Sequence, residues 1–143
     1  MTPYLHKVQY YETDKMGITH HSNYIRWMEE ARVDFLEKIG WGFDRLEQEG
    51  IVSPVVGVQV RYRQSSTFAD CICIVVQVQK YNGILMELGY EMRNQQTGQI
   101  LCTATSEHCF LDQKGKPVRL KHRFPELDTR LHHHLQDYQN KSK

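Results

Sequence analysis

The sequence lacks any long apolar run. Its longest strongly apolar stretch, Cys71 to Val76, has six residues, against the roughly 20 that a helix needs to cross a bilayer. No integral membrane segment is expected. Met1 to Lys15 holds no apolar core of the signal-peptide kind, so the expected compartment is the cytoplasm. Charge of one sign is missing as well: 18 Lys+Arg against 17 Asp+Glu leave a formal net charge of +1. A chain this balanced lacks the field of a dedicated nucleic-acid binder, and no nucleic-acid partner is expected. Cysteine is sparse, and the four residues at 71, 73, 102 and 109 show no paired CxxC spacing of a zinc site. Without a secretory signal to favour disulfides they read as buried thiols. Internal repeats and low-complexity segments are also missing.

What is present is the make-up of a folding chain. Hydrophobic residues are 40% and charged residues 24% of 143, proportions that exclude disorder and fibrous repeats and leave room for one sizeable core. The expected organisation is one domain over 1–143, with a polar, basic extension from about 116 to 143.

Leu5 to Tyr11, rich in Tyr and Val, suits a first strand. A polar segment, Thr13 to Asn23, then precedes a strongly periodic one. Tyr24, Met28, Ala31, Phe35 and Ile39 recur at spacings of three or four, with Ile25, Trp27 and Leu36 widening the stripe, as in an amphipathic helix. Ser22 or Asn23 can cap its start, and Lys38 with Gly40 marks its end. About 17 residues at roughly 1.5 Å each make a rod near 25 Å. Its apolar side needs a sheet to cover it. After a polar connection with room for a short helix, four β-like stretches follow: Val52 to Gln64, Cys71 to Lys80, Ile84 to Asn94 and Ile100 to Leu111. Turn signals punctuate them, Asn82-Gly83 reading as a two-residue hairpin. One strand, a long helix and four strands on short turns imply an α+β fold with an antiparallel sheet. Further on, Arg130 to Tyr138 suits a helix. The consecutive His132, His133 and His134 within it point about 100° apart and do not converge on a metal.

The polar segment before the helix is where chemistry is expected. Asp14 is followed by Met16, Gly17 and His21, which places a carboxylate on a tight turn beside a helix N-terminus. Unpaired backbone N–H groups point outward there, and the dipole favours negative charge. Such an end polarises a carbonyl oxygen, and the carboxylate can then attack the polarised carbon or take a proton from a water that does. Gly17 permits close backbone approach, and His21 offers a side chain or its backbone N–H. The outline is an acyl-transfer site that needs no metal and no cofactor. An ordinary capping or turn role for Asp14 stands beside that reading.

The runs Tyr10-Tyr11-Glu12-Thr13-Asp14-Lys15-Met16-Gly17, His21-Ser22-Asn23-Tyr24 and Trp27-Met28-Glu29-Glu30-Ala31-Arg32 resemble the opening of hotdog-fold acyl-CoA thioesterases. The likeness is to the hydroxybenzoyl-CoA thioesterase-like branch, which includes the bacterial thioesterase encoded with the Tol-Pal proteins. It follows the element order of nearly the whole chain, and its specificity resides in the first 32 residues. Tyr62 to Asp70 looks like the family's strand and Gly-Asp turn, with Ala69 in place of the glycine. The resemblance implies a hotdog fold, one long central helix wrapped by a five- to six-stranded antiparallel sheet. It implies an acyl-CoA substrate, Asp14 as the catalytic carboxylate, and His21 and Gly17 at the helix tip. Tyr11, Met16, Asn23, Tyr24, Arg61, Arg63 and Ser66 are the implied substrate-binding residues. It also implies a homodimer with sheets joined edge to edge, or a dimer of dimers, with the site at the interface and Val58 to Ser66 of the neighbouring chain facing Asp14.

Thioester hydrolysis needs little more, because a thiolate leaves readily. Whether Asp14 acts as nucleophile or general base stays open. Arg61, Arg63, Arg93, Lys116, Arg119, Lys121 and Arg123 are candidates for the CoA phosphates, each equally an ordinary solvated residue. Two other readings remain. His122-Arg123-Phe124-Pro125 is faintly similar to an element of hotdog dehydratases, and the same fold also serves as a non-catalytic acyl-CoA sensor or scaffold.

Overall fold

The structure is a computed structural model and describes residues 1–142; Lys143, counted in the basic extension, lies outside them. Periodicity turns directly into burial in helix α1, Ser22–Lys38. Tyr24, Trp27, Met28, Ala31, Phe35 and Leu36 are buried on one stripe. Each fully buried large side chain on such a stripe contributes about 1.5 to 3 kcal/mol. The short connection holds α2, Phe43–Gln48.

The sheet that covers α1 has five strands: β1 Tyr4–Lys7, β2 Val55–Tyr62, β3 Cys71–Tyr81, β4 Leu85–Asn94 and β5 Ile100–Cys109. Their order is β1-β3-β4-β5-β2 and all pairs are antiparallel. Ile72, Ile74, Val78, Met86, Leu88, Met92 and Cys102 of the sheet are buried in one core with the apolar stripe of α1. This is the expected α+β hotdog arrangement. Its two edges are β1 and β2, and β2 leaves Val55, Val56, Val58 and Tyr62 exposed.

Several boundaries differ from the sequence-based expectation. The first strand stops at Lys7, because Gln9 N–H donates to Glu12 Oε1 at 2.8 Å and turns Tyr10–Glu12 into a single 3₁₀ turn. The second is shortened to Val55–Tyr62, with Val52 pairing only through an isolated bridge to Leu111. The Asn82-Gly83 turn is a three-residue loop in which Asn82 Oδ1 accepts from Ile84 and Leu85 N–H. Only Cys102 is a buried thiol; Cys71, Cys73 and Cys109 are half-buried in strand positions open on one side.

The basic extension contributes α3, Leu120–Arg123, and α4, Pro125–Lys141. The latter is longer than Arg130 to Tyr138 because Pro125 opens it, proline being suited to a first turn. Leu127 and Leu131 are buried, and Tyr81 OH donates to Asp128 Oδ1 at 2.6 Å, fixing α4 to β3. The three histidines diverge: His132 lies edge-on to Tyr81 and His134 edge-on to Phe35, while His133 is exposed. Among the described residues no helix is long and apolar enough to cross a membrane.

Candidate active site

The turn before α1 is built by its own side chain. Asp14 Oδ1 accepts from Met16 N–H at 2.8 Å, and Gly17 N–H donates to the Asp14 carbonyl at 2.9 Å. Asp14 N–H donates to the Ile18 carbonyl at 2.9 Å, and a bridge between Thr13 and Thr19 closes the loop. Gly17 has φ +79°, with nothing within 4 Å of an added Cβ. Glycine is therefore required by the left-handed backbone and not by crowding. One oxygen of the half-buried Asp14 carboxylate is occupied by the turn. The other, Oδ2, has no hydrogen-bond partner among the described residues.

The helix tip lies at the other end of the same loop. The N-cap is His21, which makes no side-chain capping bond; Ser22 and Asn23, the expected caps, are inside the helix. Asn23 instead turns its amide back to donate to the carbonyls of Glu12 at 2.9 Å and His20 at 3.2 Å. Ser22 N–H meets His20 Nδ1 at 3.2 Å and Asn23 N–H donates to the His20 carbonyl at 3.0 Å. The His21 N–H has no acceptor among the described residues, so an open amide stands at the positive end of a 17-residue helix.

Two clamps hold loop and tip in register. On one side the Glu12 carbonyl accepts from His20 N–H at 2.8 Å and from Asn23. On the other, Thr19 N–H donates to the Ser66 carbonyl at 2.8 Å, and Thr67 Oγ1 donates to the Gly17 carbonyl at 2.8 Å. Ser66 Oγ lies 2.7 Å from Thr19 Oγ1 and 2.9 Å from the Tyr24 hydroxyl. Tyr62 OH donates to the His21 carbonyl at 3.0 Å.

Asp14, Gly17 and His21 thus share one loop, with Tyr11 and Met16 on its exposed surface at 83% and 76% accessibility. Asn23, Tyr24 and Ser66 are buried beneath it and occupied by the bonds just described. Tyr62 and Ser66 lie against this chain's own loop. Arg61 lies in a shallow polar depression of about 550 Å³ on the sheet, beside Gln59, Gln77 and Thr103. Arg63 is exposed. Arg93 is held by Glu91 at 2.6 Å and by the Gly98 carbonyl. Lys116, Arg119, Lys121 and Arg123 are exposed around α3. His122 to Pro125 forms the corner into α4, where Phe124 stacks edge-on against Trp41 beyond the far end of α1.

Burial sets the ionisation of the groups behind the site. It raises the Tyr24 and Tyr62 hydroxyls above their ordinary value and pushes the Cys102 thiol, paired across from Tyr62 in the sheet, up to about 11. Cys102 is therefore a neutral thiol at physiological pH and no nucleophile. Burial alone would raise Glu12 as well. The hydrogen bonds from Gln9, His6 and Trp27 outweigh it and hold this carboxyl below the usual range.

Sequence reasoning assigned no role to Glu12, Thr19, Tyr62 or Thr67. Only Glu12 carried a signal, as an acid directly after the aromatic pair Tyr10-Tyr11. A second polar cluster also went unread: Tyr90 OH, Ser106 Oγ and His108 Nε2 form a chain of 2.7 and 2.6 Å contacts near Arg32. Arg32 Nε, Ser53 Oγ and His108 Nδ1 are buried there without partners among the described residues. Burial first, and the Arg32 cation second, push His108 down to about 3.

A family profile described as the thioesterase-like superfamily matches residues 8–134. A putative acyl-CoA thioesterase of Bacillus subtilis is 32% identical over 124 residues, covering 86% of this chain and 89% of that protein. The long-chain acyl-CoA thioesterase FadM of Escherichia coli is 28% identical over 108 residues, covering 76% of this chain and 81% of that one. Among solved structures, a DHNA-CoA thioesterase from Staphylococcus aureus superposes with a TM-score of 0.88 at 31% identity, covering 99% of this chain and 95% of that one.

Proposed function

Because this chain belongs to the thioesterase-like superfamily, we propose that it hydrolyses an acyl-CoA thioester to a free acid and CoA. The observation that carries this reading is the pairing of a free carboxylate oxygen on Asp14 with an open amide on His21 across one clamped loop. The thioester carbonyl oxygen takes its hydrogen bond from His21 N–H, where the helix dipole stabilises the charge that develops on it. Asp14 Oδ2 either attacks the carbonyl carbon, giving an anhydride that water then cleaves, or draws a proton from the attacking water. The thiolate leaves without a dedicated acid. Tyr11, Met16 and Gly17 rim the site and meet the substrate. Asn23, Tyr24 and Ser66 shape it from beneath, and Arg61, in the polar depression on the sheet, and the exposed Arg63 are the proposed contacts for the CoA phosphates.

The oligomer we propose is a dimer, joined through the edge strand β2. Its unpaired backbone and exposed Val55, Val56 and Val58 suit pairing with a second copy.

A thiol-release assay over short, long and aromatic acyl-CoAs tests the activity. Wild-type protein is expected to release CoA from at least one class, and Asp14→Asn to lose nearly all turnover with unchanged thermal stability. Wild-type turnover in Asp14→Asn overturns the assignment. Oxygen-18 entering the Asp14 carboxylate from labelled water in a single turnover, or a trapped anhydride, identifies a nucleophile.

A further inference from the structure

Two residues before Asp14, the side chain of Glu12 is a carboxylate in an unusual place for a charge. It is 5% exposed and its oxygens are filled by three nitrogens, from β1, from α1 and from the turn between them. Oε1 accepts from Gln9 N–H and lies 2.8 Å from His6 Nε2 on β1; Oε2 accepts from Trp27 Nε1 on α1 at 2.7 Å. The other nitrogen of His6 faces Glu30 Oε2 on α1 at 3.2 Å, and the imidazole stacks on the Trp27 indole with centroids 4.6 Å apart. The backbone carbonyl of the same Glu12 takes His20 N–H and the Asn23 amide. One residue thus grips β1 and the second turn of α1 with its side chain, and the tip of α1 with its main chain.

From this geometry we propose that Glu12 is a positioning residue: it sets the distance between the Asp14 carboxylate and the open amide at the tip of α1. The inference rests on the hydrolase reading of that site. Glu12 does not touch substrate, since its oxygens are enclosed by His6, Gln9 and Trp27. Its effect is exerted through Asp14, which lies too close along the chain to move independently of it. The Ser66 and Thr67 clamp holds the opposite side of the loop through Thr19 and Gly17. Losing the Glu12 bonds therefore lets the Asp14 side pivot about a fixed far side, shifting the carboxylate relative to His21 N–H. Misplacement of a reacting group by about 1 Å can cost on the order of a hundredfold in rate without loss of binding.

Glu12→Gln tests this. It keeps the side-chain shape but sets an amide NH₂ against the Trp27 or His6 donor. Expected is a folded protein whose kcat on acyl-CoA falls about ten- to a hundredfold while KM stays within about twofold, the signature of lost transition-state geometry. A kcat within about twofold of wild type in a folded Glu12→Gln protein overturns the proposal, as does a loss confined to KM. Should Glu12→Gln not fold, His6→Phe removes the imidazole nitrogen that meets Glu12 while keeping an aromatic ring over Trp27; the same kcat loss at constant KM supports the proposal and unchanged kcat overturns it. Amide hydrogen exchange separates the two claims. If the wild type cleaves no acyl-CoA, the hydrolase reading fails. The positioning role is then judged by exchange at the hydrogen-bonded amides of Asp14 and His20 in Glu12→Gln: faster exchange there, with β4 unchanged, supports it, and unaltered exchange sinks it.

Discussion

A carboxylate that folds its own turn has one oxygen committed to architecture, and in Asp14 that oxygen is Oδ1, bonded to Met16 N–H. The amide of Asp14→Asn still accepts that bond, which is why the variant is expected to fold normally while turnover collapses. Gly17 is constrained differently. At φ +79° a Cβ costs roughly 1 to 2 kcal/mol, so Gly17→Ala is expected to lower stability by about that amount in urea unfolding. Its kcat should fall too, because the strain is relieved by moving Asp14. Ala69 is the mirror case, a non-glycine at φ +73°. Ala69→Gly relieves left-handed strain against a gain in unfolded-chain entropy, and a net stabilisation of about 0.5 to 1 kcal/mol is expected.

Two buried titrating groups give the stability a pH signature. His108 is held down to about 3 by burial and Arg32, so between that value and the ordinary value of about 6.5 the unfolded chain binds the proton and the folded one does not. This contribution is then full above about pH 6.5 and falls by about 1.4 kcal/mol per unit below it. Urea titrations at pH 7, 6 and 5 should show this slope, and His108→Gln should flatten it. Glu12 contributes separately and lower. Its carboxyl is depressed in the folded state, so its stabilisation is present above its unfolded value near 4.3 and is lost as pH falls through the folded one.

Among the elements, α1 was the most legible, because one stripe of Tyr24, Met28, Ala31 and Phe35 satisfies a single period over its whole length. Its start was less so. Ser22 and Asn23 have the chemistry of caps, but Asn23 is more strongly engaged by the Glu12 carbonyl than by the helix it opens. The stretch from Leu5 to Tyr11 has the composition of a strand. It breaks at Lys7 because a bond between Gln9 and Glu12, invisible to propensity, closes a turn. The Asp14 to His21 loop was legible as a candidate site through the resemblance of its runs to a known family, residue types and spacing leaving a turn or capping role open; the clamp from Ser66 and Thr67 was not legible, since they reach Thr19 and Gly17 only through the fold. Helix α4 was seen only in its middle, as its buried contacts are two leucines in a polar sequence. Leu131 is 0% exposed, so Leu131→Ala should cost about 2 to 5 kcal/mol in unfolding free energy. A loss below about 0.5 kcal/mol would make α4 a detachable tail.

At the scale of the molecule, the helices and the sheet leave the valine-rich edge of β2 unfinished. Val56, 54% exposed on edge strand β2, sits where a second copy is proposed to pair. Val56→Lys should yield a monomer by light scattering without unfolding the chain, since edge lysines block strand addition. Activity falling in step with dimer content places residues of both copies at the site, and a fully active monomer excludes that arrangement.

That same unfinished strand shapes how the protein reaches its native form. In the proposed dimer its valine-lined margin is a template for any extended peptide until the second copy docks, so newly made chains would face a contest between productive docking and misassembly. Raising the concentration during refolding hastens both, and recovery should pass through an optimum: sparse chains remain unmated, crowded ones precipitate.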